Sequence, residues 1–309
     1  MKNNRTNRLG YRGNQISQGT NLVLSLLLTV LAIVIVLPVV LVISVSLSTT
    51  EDITRNGYQF IPAHISFTAY EILFQMGYTL FRSYLMTIFY TVAGTVLSLF
   101  VTTMFAFVLA RQDYPYRQFL AFFAYFTTLF SGGMVPQYVL RVRYLHMDNT
   151  IWVFLLPGLV SAFNVIILRT FIRSNIPDSL FDSAKIDGAS EWQVYSRIVM
   201  PLLKAGLATI GLFNVVSRWN DWFTGTLYVQ ERNLKPVMTV LQNLQKQIDY
   251  IKSDPLIASS PDGIALAAQL PSESARMAIT IMVSLPLLIA YPFFQKYFIK
   301  GMTIGSVKG

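Results

Sequence analysis

Side chains able to do chemistry are few in this sequence, and the densest set falls in one segment. Asp178, Asp182, Lys185 and Asp187 lie between Arg169 and Lys204, spaced at near-helical intervals. Charges arranged in this way suit a contact surface. The chain has no cysteine, no Gly-x-x-x-x-Gly-Lys-Ser/Thr loop and no His-Glu-x-x-His pattern, and its two histidines, His64 and His146, are widely separated. Thiolate, phosphate-loop and zinc-protease chemistry therefore have no residues to carry them. No catalytic residue and no metal-ligand set is predicted. A second group, Asn164, Asn214, Ser217, Trp219, Asn220 and Trp222, can hydrogen-bond hydroxyls and stack on apolar ring faces.

The elements that must position these residues are apolar. Of 309 residues, 53% are hydrophobic, 14% aromatic and only 13% charged, against about 25% charged in a soluble domain. Six stretches are apolar enough to cross a bilayer, which takes about 20 residues each. They are Leu22–Leu47, Leu85–Ala110, Phe119–Leu140, Ile151–Leu168, Ala205–Ser217 and Met277–Gln295. The fifth is long enough only if it starts near Pro201. The predicted class is an all-α polytopic membrane protein with six transmembrane helices. Pro38, Pro136, Pro157 and Pro286 fall inside these runs and are expected to bend them.

Charge orients the spans. With the N-terminus inside, the inner segments hold 14 Lys and Arg against 5 acidic residues, and the outer ones 10 against 10. The excess of basic residues thus lies on one side, as the positive-inside rule requires. Lys2, Arg5, Arg8 and Arg12 are read as an anchor beside anionic lipid, in preference to a nucleic-acid-binding arm. None of the six cores as drawn contains Asp, Glu, Lys, Arg or His. Proton-coupled carriers and voltage sensors keep ionisable groups at that depth, so both are disfavoured. Asn164, Asn214 and Ser217 either line a pathway or join helices to one another.

The segment Arg169–Lys204 reads as helix, glycine turn, helix and membrane re-entry. Pro177 suits a first helical turn, Asp178 and Asp182 favour its positive end, and Gly188 is a stop. Ser190 and Gln193 form a capping box for the second helix, and Met200-Pro201 leads into the fifth span. Leu180, Ala184 and Asp187 are expected near one face, with Phe181 and Lys185 beside it. From the residues alone, this helix packs on the protein's own span ends or lies in a groove of a soluble partner.

The string Asp182-Ser183-Ala184-Lys185-Ile186-Asp187-Gly188-Ala189, followed by Ile198-Val199-Met200-Pro201-Leu202, resembles the EAA loop of ABC-importer permeases. It departs at Asp182 for Glu, Ser183 for Ala and Met200 for Leu; the shorter Asp182 weakens any salt bridge made from that position. Phe130-Ser131-Gly132-Gly133-Met134-Val135-Pro136, Trp219-Asn220-Asp221-Trp222 and the ending Gln295–Gly309 are similar to segments of maltose-type carbohydrate permeases, the first of them in an oligosaccharide branch. Together these motifs cover most of the chain.

The resemblance implies a type I ABC-importer permease fold in a bacterial cell membrane, both termini cytoplasmic. It implies a second homologous permease subunit, two ATP-binding subunits, an extracellular or periplasmic sugar-binding protein, membrane lipid and no nucleic acid. No cofactor is bound by this chain, ATP and magnesium belonging to the partner ATPases. Leu180, Phe181, Asp182, Ser183, Ala184, Lys185, Ile186, Asp187, Gly188 and Ala189 would form the ATPase-coupling loop. Asn164, Asn214, Ser217, Trp219, Asn220 and Trp222 are candidates for the translocation pathway, although Trp219 and Trp222 suit interface anchoring better. The expected division is a cytoplasmic segment 1–21, a permease domain 22–300 with the coupling loop at 173–201 and a long outside loop at 219–275, and a cytoplasmic tail 301–309. Within the outside loop, Pro236–Lys252 has the spacing of an amphipathic helix, which touches the binding protein or lies on the membrane or permease surface. Ser253–Ser274 reads as a loose excursion. Rival readings are an importer permease for an amino acid, peptide or glycerol phosphate, an ATPase-independent channel or carrier, and a membrane enzyme. The last needs paired catalytic groups at one depth, which are missing.

Overall fold

A computed structural model describes residues 17–75, 77–253 and 273–306 of the chain. The described residues are helical, with one isolated bridge, Ser48 to Ile65, and no sheet. Two compact units result, Met1–Ala69 with Ser272–Ala278 and Tyr70–Pro271 with Ile279–Gly309.

In the first unit, α1 (Gln18–Ser46) is an unbroken helix of 29 residues that contains Pro38. Its apolar side chains are exposed all round from Leu22 to Val40, as expected of a helix meant for lipid or a partner subunit. Ser17 caps its start by accepting from Thr20 N. A short α2 (Thr50–Asn56) follows, capped by Thr49, and His64 Nδ1 lies 3.2 Å from Asp52.

The second unit is organised around α4 (Gly77–Ala110), 34 residues long, which follows the short α3 (Thr68–Gln75). One side of α4 is a buried stripe of small residues, including Ser83, Thr87, Thr91, Gly94, Thr95, Ser98 and Thr102. Small residues let neighbouring backbones approach closely. Against α4 pack α8 (Ala162–Asn175) and α11 (Lys204–Trp219).

The predicted spans differ in continuity. Three helices are long and apolar enough to cross a membrane, Gly19–Ser46, Gly77–Ala110 and Glu273–Lys296, the last within α14 (Glu273–Ser306). The third stretch is two helices, α5 (Arg117–Leu129) and α6 (Met134–Tyr144), bent by 114°. The break falls at Ser131-Gly132-Gly133, where Gly133 has φ +83°, rather than at Pro136, which lies inside α6. The fourth is also broken, into α7 (Trp152–Leu155) and α8. Pro157 and Gly158 (φ +73°) occupy the gap. The freed Leu159 carbonyl accepts from Ser98 Oγ at 2.8 Å and Thr102 Oγ1 at 3.1 Å on α4, so side chains of a neighbouring helix replace the lost backbone bond. The fifth does not begin near Pro201. After α9 (Asp178–Ile186), α10 (Glu191–Leu202) meets α11 at 80°, leaving 16 residues in α11, about 24 Å of helix.

After α12 (Phe223–Tyr228), the amphipathic segment forms α13 (Val237–Ser253). It is fastened to α4 at its start, where Val237 N donates to Thr87 Oγ1 at 2.8 Å and Tyr90 OH donates to Leu234 O. The basic N-terminal residues and positions 254–272 of the expected excursion lie outside the described residues; of its ends, Ser253 closes α13 and Glu273 and Ser274 open α14, helical where a loose segment was expected.

Candidate functional site

Two polar features stand along α4, one at its C-terminal end and one beside Tyr90. The first is α9. Pro177 precedes it in an extended conformation, and Leu180 N donates to Pro177 O. Its far end closes as a glycine stop, in which Ala189 N reaches Ala184 O at 2.9 Å and Gly188 takes φ +74°. A Cβ at Gly188 would meet nothing within 4 Å, so the backbone conformation alone demands glycine there. The capping box forms, with Ser190 N donating to Gln193 Oε1 and Gln193 N to Ser190 Oγ.

Phe181 and Ala184 turn inward, Phe181 at 6% exposure. Leu180 and Asp187, expected beside Ala184, lie on the exposed side with Asp182, Ser183, Lys185 and Ile186; Ile186 is 86% exposed. Ala189 is half-buried.

The inner edge of α9 is held by Arg111, just beyond the end of α4. Its guanidinium lies 5.1 Å from the Phe181 ring centre and 5.9 Å from that of Phe107. It donates in fork geometry to Asp113, from Nε at 2.9 Å and NH2 at 2.6 Å, and sits 3.3 Å from Glu191. The hydrogen bonds from Arg111 hold the Asp113 carboxyl down at about 2, and the same bonds raise Arg111 above its ordinary value. Gln112 Nε2 donates to Asp178 at 2.6 Å. Thus Asp113, not the shortened Asp182, is the paired carboxylate, and Asp182 acts on Arg111 only at longer range. Sequence reasoning passed over Arg111 and Asp113. The run Ala-Arg-Gln-Asp at a helix end, where a cation is favoured, was the available signal.

The second feature is a cavity of about 350 Å³ lined by Tyr90, Arg141, Phe154, Pro157, Gly158, Asn214, Ser217, Arg218, Asp221 and Thr224, among others. Of the pathway candidates, Asn214 and Ser217 line it; Asn164, Trp219, Asn220 and Trp222 do not. Trp219 is 5% exposed, its Nε1 donating to Val283 O on α14 at 3.0 Å. Trp222 is half-buried with Lys246 Nζ 4.6 Å from its ring centre. Asn220 is exposed and donates to Val216 O, and Asn164 is half-buried on α8.

Arg218 was missed because the apolar run was ended at Ser217. The helix continues through it, and NH1 donates to Phe154 O at 2.7 Å. Its guanidinium lies over Gly94, one of the small residues of α4. Arg141 lies 5.3 Å from the Tyr228 ring centre and donates to Gln137. Tyr90 stacks on Phe154 with ring centres 4.3 Å apart. Asp221 Oδ1 accepts from Thr224 N, capping α12. The cavity therefore carries two guanidiniums, one carboxylate and neutral hydrogen-bonding groups beside an aromatic face. Such an arrangement is suited to hydrogen-bonding a polar ligand. From Tyr90 to Phe107, which packs beneath α9, α4 runs about 25 Å.

Comparison with known proteins adds the following. Residues 118–304 match the family model described as binding-protein-dependent transport system inner membrane component. The chain is 36% identical over 266 residues to the polygalacturonan/rhamnogalacturonan transport system permease protein YtcP of Bacillus subtilis, covering 86% of this chain and 90% of that one. It is 38% identical over 264 residues to protein LplC of the same organism, covering 85% and 86%. Among solved structures, it resembles a chain of a bacterial ABC transporter involved in the import of the acidic polysaccharide alginate. That match has a TM-score of 0.75 and 31% identity, and covers 92% of this chain and 99% of the other.

Proposed function

The chain belongs to the binding-protein-dependent transport system inner membrane component family, and from that premise we propose that it carries an oligosaccharide across the membrane as one of two permease subunits. A permease component of an ABC importer is a transport protein and not itself an enzyme. The observation that carries the reading is α9: an exposed helix ending in Ile186, fixed through Arg111 to the end of a rigid helix whose other part lines a polar cavity. The names of the relatives support a saccharide cargo.

In this reading α9 rests on a cleft of one of two partner ATPases, which hold ATP and magnesium. Their closure displaces α9, and the Arg111 contacts pass the displacement to α4. A helix of this length moves as a rod, so the cavity near Tyr90 moves with it. Access then alternates between two states, which the delivered sugar and ATP bias in turn. The membrane is crossed six times, by α1, α4, α5 with α6, α7 with α8, the end of α10 with α11, and α14, both termini being cytoplasmic. A solute-binding protein delivers the cargo on the other side, and α13 meets it there.

The test is purification of the tagged chain from gently solubilised native membrane. Co-purification of a second permease and an ATPase, and ATP-dependent uptake of a saccharide by the reconstituted complex, are expected. A chain that purifies alone and transports in liposomes without an ATPase would overturn the reading.

A further inference from the structure

The cavity holds more positive charge than its own carboxylate balances. Arg141 and Arg218 both line it, with Asp221 the one acidic lining residue. Among the described residues neither arginine has a carboxylate within ion-pairing distance. Arg218 spends NH1 on the Phe154 carbonyl, and its Nε is buried without a hydrogen-bond partner. Arg141 spends NH2 on the neutral Gln137 amide. Asp221 accepts from the Thr224 backbone. Two guanidiniums partly removed from water and sharing one carboxylate, Asp221, are costly, and at the outer ends of the third and fifth stretches they stand where a charged solute would enter. A neutral sugar can accept their hydrogen bonds but leaves their charge unbalanced. A guanidinium matches a carboxylate in charge and N–H donors; Arg218, with NH1 spent and Nε buried, has NH2 and its charge to offer, and Asn214 and Ser217 beside the pair suit sugar hydroxyls.

We propose that the cargo is an acidic oligosaccharide built from uronic acid units, with Arg141 and Arg218 taking its carboxylates during passage. This rests on the saccharide-importer reading above and names the substrate class of the same cavity. Asn214 and Ser217 orient the sugar, and Arg141 and Arg218 select for its charge.

The test uses the complete importer with its binding protein in proteoliposomes. The probes are trimers of galacturonate, mannuronate and guluronate, their methyl esters, and neutral maltotriose and arabinotriose. Wild type is expected to import at least one uronate trimer at least tenfold faster than its methyl ester, which keeps the ring and removes the charge. R141Q and R218Q are expected to shrink that ratio below threefold. The binding protein is common to all variants, so the change in ratio belongs to the permease. Arg218 packs into α4 and its loss can impair assembly; R141Q leaves that packing intact, and R218K restores the charge and most of the ratio. Import of a neutral trimer and of no uronate, or a ratio unchanged in R141Q and in assembled R218Q, overturns the proposal while keeping the importer. Import of no saccharide at all fails the parent reading as well.

Discussion

Arg218 of α11 occupies the space that a side chain at Gly94 of α4 would fill. A Cβ at position 94 would lie 2.6 Å from Arg218 Cζ and 2.9 Å from its Nε. The glycine is thus a notch for a guanidinium, and the pair sets how closely α4 and α11 approach. Gly94→Ala is expected to cost about 1–3 kcal/mol by overpacking and to break the Arg218 bond to Phe154. Thermal unfolding in detergent should show the loss, and uptake should fall about tenfold for each ~1.4 kcal/mol by which the bound state is disfavoured. The slimmer Arg218→Lys, added to Gly94→Ala, should recover part of the stability. A double variant no more stable than Gly94→Ala alone would count against the notch.

At Gly188 the strain is purely conformational. A left-handed backbone costs a residue with a Cβ about 1–2 kcal/mol, and nothing lies within 4 Å to be struck. Gly188→Val should leave complex assembly intact and lower ATP-driven uptake. Gly188→Asn should be milder, since asparagine tolerates that region. Wild-type uptake by an assembled, ATPase-competent Gly188→Val complex would refute a coupling role for the turn.

Ile186 is 86% exposed and supports no internal packing. Ile186→Asp should therefore unfold at the wild-type temperature yet lose the ATPase during purification. Retention of the ATPase would move the docking surface elsewhere.

Arg111→Ala removes the fork to Asp113 and the stacking on Phe181. Amides of α9 should then exchange with deuterium about tenfold faster, equivalent to ~1.4 kcal/mol. Arg111→Lys keeps the charge and loses the fork, and should fall between. Equal protection in all three proteins would show that α9 is held by its apolar contacts alone.

The pH dependence of the same contact follows from Asp113. Its carboxyl is held at about 2 by Arg111, below the unfolded value near 4. A lowered carboxylate contributes stability that is fully present above the unfolded value and is lost as pH falls through the folded one. Protection of α9, corrected for intrinsic exchange rates, should be flat from pH 8 to 5 and decline only below about 4. A decline between pH 7 and 5 would assign the docking to another group.

Legibility in the sequence followed the range of the interactions. The α9 turn was readable because Pro177, Gly188, Ser190 and Gln193 act within a few residues of one another. The break at 156–161 was announced by Pro157, but the hydroxyls of Ser98 and Thr102 that satisfy its carbonyl were not legible, because they lie some 57–61 residues earlier. The bend attributed to Pro136 belongs to Gly132 and Gly133, because a proline in the first turn of a helix fits without disturbing it. The charged cavity was hidden by one residue: apolar periodicity stops at Ser217, while the helix carries Arg218 into the interior. A run of threonines, serines and a glycine along α4 was the signal that something polar must pack there.

The shared carbonyl of Leu159 also bears on how such permeases can be recombined. Because Ser98 and Thr102 complete a backbone that lies in a different part of the chain, α4 and the 156–161 segment behave as one exchangeable cassette. A chimera that took α4 from a relative with alanine at both positions, but kept this protein's segment, would leave a carbonyl orphaned within the membrane. Such a graft should fail at insertion and quality control, before cargo selection is ever tested. Crossovers placed before α4 and after α8 would keep the donor hydroxyls with their acceptor and should yield chimeras that reach the membrane.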